Sequence, residues 1–179
     1  MFIDLLKERR SIRKFTEEEV EGEKIQAIIQ AGLLSPTSRN NQPWQFVLVD
    51  DDELLQKLAQ SKSGGSSFVA GADLAVVVTA NPEESDVWIE DCAIAATNMH
   101  NMAAELELGS CWVQIRRRHT QEGESSEKFV RDILDIPSEL RVSCFLAVGH
   151  PDEEKDEYLL ENLSYNKMHY NCYGQDIPD

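Results

Sequence analysis

The chain has 179 residues, with 17 Lys and Arg against 33 Asp and Glu and a formal net charge of −16. That length suits one domain, and a 41% hydrophobic content can build a core. The acid excess argues against a general nucleic-acid binder and against docking on an anionic membrane. No apolar run approaches the roughly 20 residues that span a bilayer. The N-terminus is charged too early to hold a signal-peptide core, so a cytoplasmic protein is expected.

The charge is uneven. Residues 1–50 carry seven basic and eight acidic side chains, so most of the acidity lies later. Arg9–Lys14 is a local basic island, and an anion site is expected there.

In chain order, Phe2–Arg9 reads as a short helix ending in the island. Thr16-Glu17-Glu18-Glu19 has the form of a capping box, with Val20, Ile25, Ile28, Ile29 and Leu33 at helical spacing behind it. Pro36 closes that helix. Ser35–Trp44 is a loop with two prolines and six hydroxyl or amide side chains. It leads into a strand at Gln45–Val49, with Trp44 expected in the core. Asp52–Gln60 is a modest helix, and Gly64-Gly65 marks a loop. Asp73–Thr79 is a continuous apolar run, the pattern of a strand buried on both faces. Val87–Leu106 is the strongest helix, and its alanines allow close approach of a neighbour. Gly109 ends it, and Ser110–Ile115 is extended. Arg116–Arg118 reads as a solvated basic run. Ser125 and Ser126 cap a helix to Leu134, and Val142–Val148 is a further buried strand. Residues 152–179 show no periodicity. Alternating helices and strands indicate a central sheet, α+β or α/β.

Cys92, Cys111, Cys144 and Cys172 are widely spaced and expected to be reduced. The four histidines show no metal-ligand spacing, so no metal site is expected.

Arg9-Arg10-Ser11-Ile12-Arg13-Lys14-Phe15, Ser35–Phe46, the stretch from Asp91 to Trp112 and Leu146–Pro151 together resemble the nitroreductase family of FMN-dependent oxidoreductases. The resemblance covers nearly the whole chain. It implies an α+β three-layer fold, a mostly antiparallel central sheet flanked by helices with one long central helix. It implies residues 1–151 as the FMN-binding domain and 152–179 as a tail packing on the domain or the partner subunit. The activity implied is ping-pong hydride transfer from NAD(P)H through flavin N5 to a nitroaromatic, a quinone or a similar acceptor. The same motifs fit a flavin-binding storage or sensor module without significant turnover.

The resemblance also implies site residues. A phosphate monoester carries about −1.5 to −2 charges at pH 7, and Arg9, Arg10 and Ser11 offer guanidinium forks and a hydroxyl to it. Arg13 is expected at the ribityl chain and the N1/O2 edge, where a cation favours reduced flavin. Pro36, Thr37, Ser38, Asn40 and Gln42 are expected to reach the FMN of the other subunit, so the site would be complete only in a homodimer. Trp112, Val113 and Gln114 are expected to run their backbone along the flavin ring. No side chain is assigned as a catalytic acid or base. Lys167 is given a phosphate role, and Arg116–Arg118 is read as a solvated run in preference to a site for the extra phosphate of NADPH. The 61–68 loop is not expected to add contacts at the pyrimidine edge. Cys111 is read as a buried structural thiol rather than a nucleophile.

Overall fold

The computed structural model describes residues 1–178. Its strands are β1 (Trp44–Val49), β2 (Leu74–Ala80), β3 (Gly109–Gln114) and β4 (Arg141–Gly149). They form one antiparallel sheet in the order β1-β2-β4-β3, so β1 and β3 are its edges. The apolar run expected at 73–79 is β2, with all seven residues buried.

Alternation along β2 divides the core. Leu74, Val76, Val78 and Ala80 face one apolar layer, and Ala75 and Val77 face the other. The first layer is covered by α2 (Gly22–Leu33) and the 18-residue α4 (Trp88–Glu105). Gly32 lets these two helices close up, because a Cβ there would stand 2.9 Å from Met99 Sδ. The second layer is covered by α3 (Asp52–Leu58) and α5 (Ser126–Ile133). A short α1 (Phe2–Glu8) lies against α4. The three-layer α+β arrangement with a long central helix is therefore present. Trp44 is in the core, stacked on Phe46 with ring centroids 5.5 Å apart.

One expectation fails. Thr16–Glu19 does not cap a helix: α2 begins at Gly22, and Glu21 occupies the N-cap position without a side-chain cap bond. Among the described residues, Thr16 Oγ1 accepts only from the Glu18 amide, at 3.3 Å. Tertiary pairing holds this segment extended instead. Phe15 bridges Pro151, the Thr16 amide donates to His150 O at 2.9 Å, and the Val20 amide donates to Asp73 Oδ2 at 2.8 Å. Gly149 allows this docking, since a Cβ there would meet Phe15 at 3.0 Å.

The tail crosses the Arg9–Lys14 island at residues 152–158 and then runs exposed to Pro178, with short turns at Leu160–Asn162 and Tyr165–Lys167. Among the described residues, no helix is long and apolar enough to cross a membrane.

Candidate functional site

The Arg9–Arg13 segment docks on the outer edge of β3. Ser11 forms a parallel bridge with Ser110, and the Ile12 amide donates to Ser110 O at 3.0 Å. The approach requires Gly109, where a Cβ would stand 2.7 Å from Ile12 Cγ2. Ser110 O thus points away from β4. Backbone groups alternate along a strand, so Trp112 and Gln114 also turn their N–H and C=O to the open edge. Val113 turns its own toward β4 and buries its side chain.

Arg9 is held by a residue that the sequence did not mark. Its Nη1 lies 2.7 Å from His100 Nε2, and His100 Nδ1 meets Ser110 Oγ. A guanidinium can only donate, so Nε2 accepts and Nδ1 carries the proton. Burial first, and the Arg9 charge second, lower the His100 pKa to about 4.

Arg10 lies 4.4 Å from the centre of the Tyr158 ring and donates to the Asp156 carbonyl. The Arg13 amide donates to Glu153 Oε1 at 2.6 Å, and its guanidinium lies 5.8 Å from the centre of the Phe68 ring. Lys155 Nζ donates to Ser11 O at 2.7 Å and pairs with Glu153 at 3.3 Å. The island is therefore separated from the acids in sequence but not in space. Glu153 sits against Arg13, and the amide bond from Arg13 holds its carboxyl below the usual range. Yet among the described residues no carboxylate pairs with the guanidinium of Arg9, Arg10 or Arg13.

The other expected residues lie elsewhere. Ser38 donates its amide to Asp91 on α4 at 3.0 Å, and the Gln42 amide donates to Thr37 Oγ1 at 3.0 Å. Asn40 and Gln42 adopt left-handed backbone, with φ of 57° and 49°. Pro36 is exposed in the same loop. Among the described residues, no hydrogen bond joins this loop to Arg9–Arg13. Lys167 lies in an exposed turn, where no ion pair links it to another described residue. The tail cation beside the site is Lys155, whose only sequence signal is a lone positive charge in an acidic run. Lys62, in the loop from which nothing was expected, is half-buried, and burial together with Arg118 and Arg13 lowers its pKa. Cys111 is buried on β3, and desolvation raises its pKa, as a structural thiol requires.

The profile of the Nitroreductase family matches residues 6–66 and 59–150. The chain belongs to the nitroreductase family. A protein of Archaeoglobus fulgidus with the provisional name NADH dehydrogenase/NAD(P)H nitroreductase is 35% identical over 154 residues, 84% of this chain and 85% of its own. The structure of an FMN-dependent nitroreductase from Clostridium difficile R20291 superposes with a TM-score of 0.93 at 44% identity, covering 96% of this chain and 99% of that one. A provisionally named nitroreductase of Desulfovibrio desulfuricans, solved in complex with FMN, superposes at 0.71 with 26% identity over 91% of this chain and 95% of its own.

Proposed function

We propose that this member of the family is an FMN-dependent NAD(P)H oxidoreductase that passes a hydride to a nitroaromatic, quinone or similar acceptor. The observation that carries this is the open edge of β3, with guanidinium groups unpaired by carboxylates at its Ser110 end. The five residues from Ser110 to Gln114 make four steps of roughly 3.3 Å, about 13 Å in all. One end of such a rail suits a phosphate, and the rest suits a flat ring with acceptors along its rim.

The donor set fits FMN. Arg9, Arg10 and Ser11 would hold the phosphate, with His100 fixing the direction of Arg9. Arg13 would set a positive charge beside the N1 edge. Trp112 and Gln114 would supply backbone groups along the ring. FMN, when bound, supplies the capacity to accept and return a hydride. The chain's own part is orientation, charge and exclusion of water.

We further infer a homodimer. Phe2, Leu6, Leu33 and Ile94 are exposed on α1, α2 and α4, and Leu34, just past the end of α2, retains 84% of its surface. Among the described residues the Pro36–Gln42 loop makes no hydrogen bond to Arg9–Arg13, and it would serve the partner's site. Residues 1–151 form the FMN-binding unit in this reading, and 152–179 form a tail that caps it at 152–158.

The test is the visible spectrum of the purified protein. A yellow chain bleached by NAD(P)H without oxygen is expected, with oxidation of NAD(P)H in the presence of nitroaromatics or quinones. A colourless protein that ignores added FMN would end the proposal.

A further inference from the structure

Arg9, Arg10 and Arg13 are taken by the cofactor in the reading above, on which this inference rests. Two further cations, Lys62 and Arg118, stand near the same edge, and Arg118 Nη1 donates to the adjacent Arg117 O at 3.0 Å. They come from segments 56 residues apart in sequence, joined by a hydrogen bond from the Ser63 amide to His119 O at 2.9 Å. The bond ties the residue after Lys62 to the residue after Arg118.

Both segments are held in shape. Ser66 Oγ donates to Ala59 O at 2.8 Å, closing the loop that bears Lys62. That loop turns through Gly65 at φ +78°, and Lys62 Nζ folds back over it, 3.7 Å from where a Cβ would stand. The arginine turn is pinned on both sides. The Arg118 amide donates to Ile115 O at 3.1 Å, and the Ser126 amide to Arg118 O at 2.9 Å. Gln114 Nε2 donates to Arg116 O at 3.0 Å while Gln114 Oε1 accepts from Trp112 Nε1 at 3.1 Å, so the turn is anchored to the exposed rail itself.

The charges are also unbalanced. In a chain with nearly twice as many acids as bases, no described carboxylate pairs with Lys62 or Arg118. The neighbours whose charge bears on Lys62 are Arg118 and Arg13, with the Cys111 thiol. Like charges held together without a counter-ion cost free energy, and an arriving anion relieves that cost.

We propose that Lys62 and Arg118 form a receiving site for the phosphate or carboxylate of a molecule that visits the flavin. The turn that bears Arg118 is bonded to the Gln114 end of the rail, four positions along the strand from Ser110. It gives an otherwise acidic protein a preference for anionic reactants at this mouth. The anionic group can belong to the reductant or to the acceptor.

The experiment uses the flavin-loaded wild type and the double variant Lys62→Gln/Arg118→Gln. One arm compares kcat/KM for 4-nitrobenzoate and nitrobenzene as acceptors, and the other compares NADPH and NADH as reductants. The double variant is expected to lose about fivefold to tenfold with the anionic member of at least one pair, the range two partly exposed charge contacts support, while its neutral or less charged counterpart is unchanged. The arm that responds identifies the source of the anion. Equal behaviour of wild type and variant in both arms overturns the proposal. A protein that takes up no FMN fails the functional reading by its spectrum. In that case calorimetric titrations with NADPH and with 4-nitrobenzoate still decide the pair: binding of either one that is lost in the double variant supports it, and binding of neither to the wild type, or equal binding to both proteins, overturns it.

Discussion

Arg9 and His100 fix each other. The 2.7 Å contact between guanidinium and Nε2 commits the imidazole to one tautomer, and that tautomer then commits its proton to Ser110. The bond needs neutral imidazole, and its pKa of about 4 lies below the ordinary 6.5. Between these values the unfolded chain binds a proton that the folded chain refuses. Stability is therefore full above pH 6.5, falls as pH drops toward 4 and levels off below it. The total loss is about 3 kcal/mol. Urea unfolding of the wild type and His100→Phe from pH 4 to 7 checks this. The variant should lose that part of the slope, and its FMN dissociation constant should rise about tenfold.

Arg10→Ala and Arg13→Ala each remove a guanidinium from the proposed cofactor end. A hydrogen bond to a charged group is worth about 1.5–3 kcal/mol, so FMN affinity should fall roughly tenfold or more in each. Flavin fluorescence titration measures it. Unchanged retention in both variants refutes the assignment.

Gly109→Ala places a methyl group 2.7 Å from Ile12 Cγ2 and 3.3 Å from Pro151 Cβ. Overpacking of this kind costs about 1–3 kcal/mol. The strain falls on the joint between β3 and the Arg9–Arg13 segment. Thermal unfolding should show the loss of stability, and FMN titration should show weaker binding.

Leu34→Glu puts a charge into the exposed apolar face between α2 and α4. Sedimentation should show a shift from dimer to monomer, accompanied by loss of FMN. A monomer that keeps its flavin contradicts the shared site.

The thiols should divide by burial. Desolvation raises the pKa of Cys92 to about 12 and also raises those of Cys111 and Cys144, whereas Cys172 is exposed. A disulfide reagent should titrate one thiol rapidly in the native protein and four after denaturation.

What the sequence revealed depended on whether the signal was local. β2 and β4 were legible because strands buried on both faces read as unbroken apolar runs. α4 was legible from small and apolar residues at helical spacing. The capping box was misread because Thr16 carries the right local pattern, and only the pairing of Phe15 with Pro151 overrides it. His100 and Lys155 were missed for a related reason. His100 gains its role only when α4 comes beside Arg9, and Lys155 only when the tail crosses Ser11. Nothing local marks His100 within the Asp91–Trp112 stretch, and Lys155 lies in no motif, because their partners are 91 and 144 residues away. The basic island was legible as composition, but the acids the tail brings to it were not.

The outer side of β3 has a second meaning. A strand whose amides and carbonyls face outward is a template on which any extended chain can add itself. The Arg9–Ile12 segment shields the Ser110 end, and the backbone groups of Trp112 and Gln114 remain for whatever lies along them. A ligand lying along the rail, as proposed, would also guard that edge against pairing with another chain.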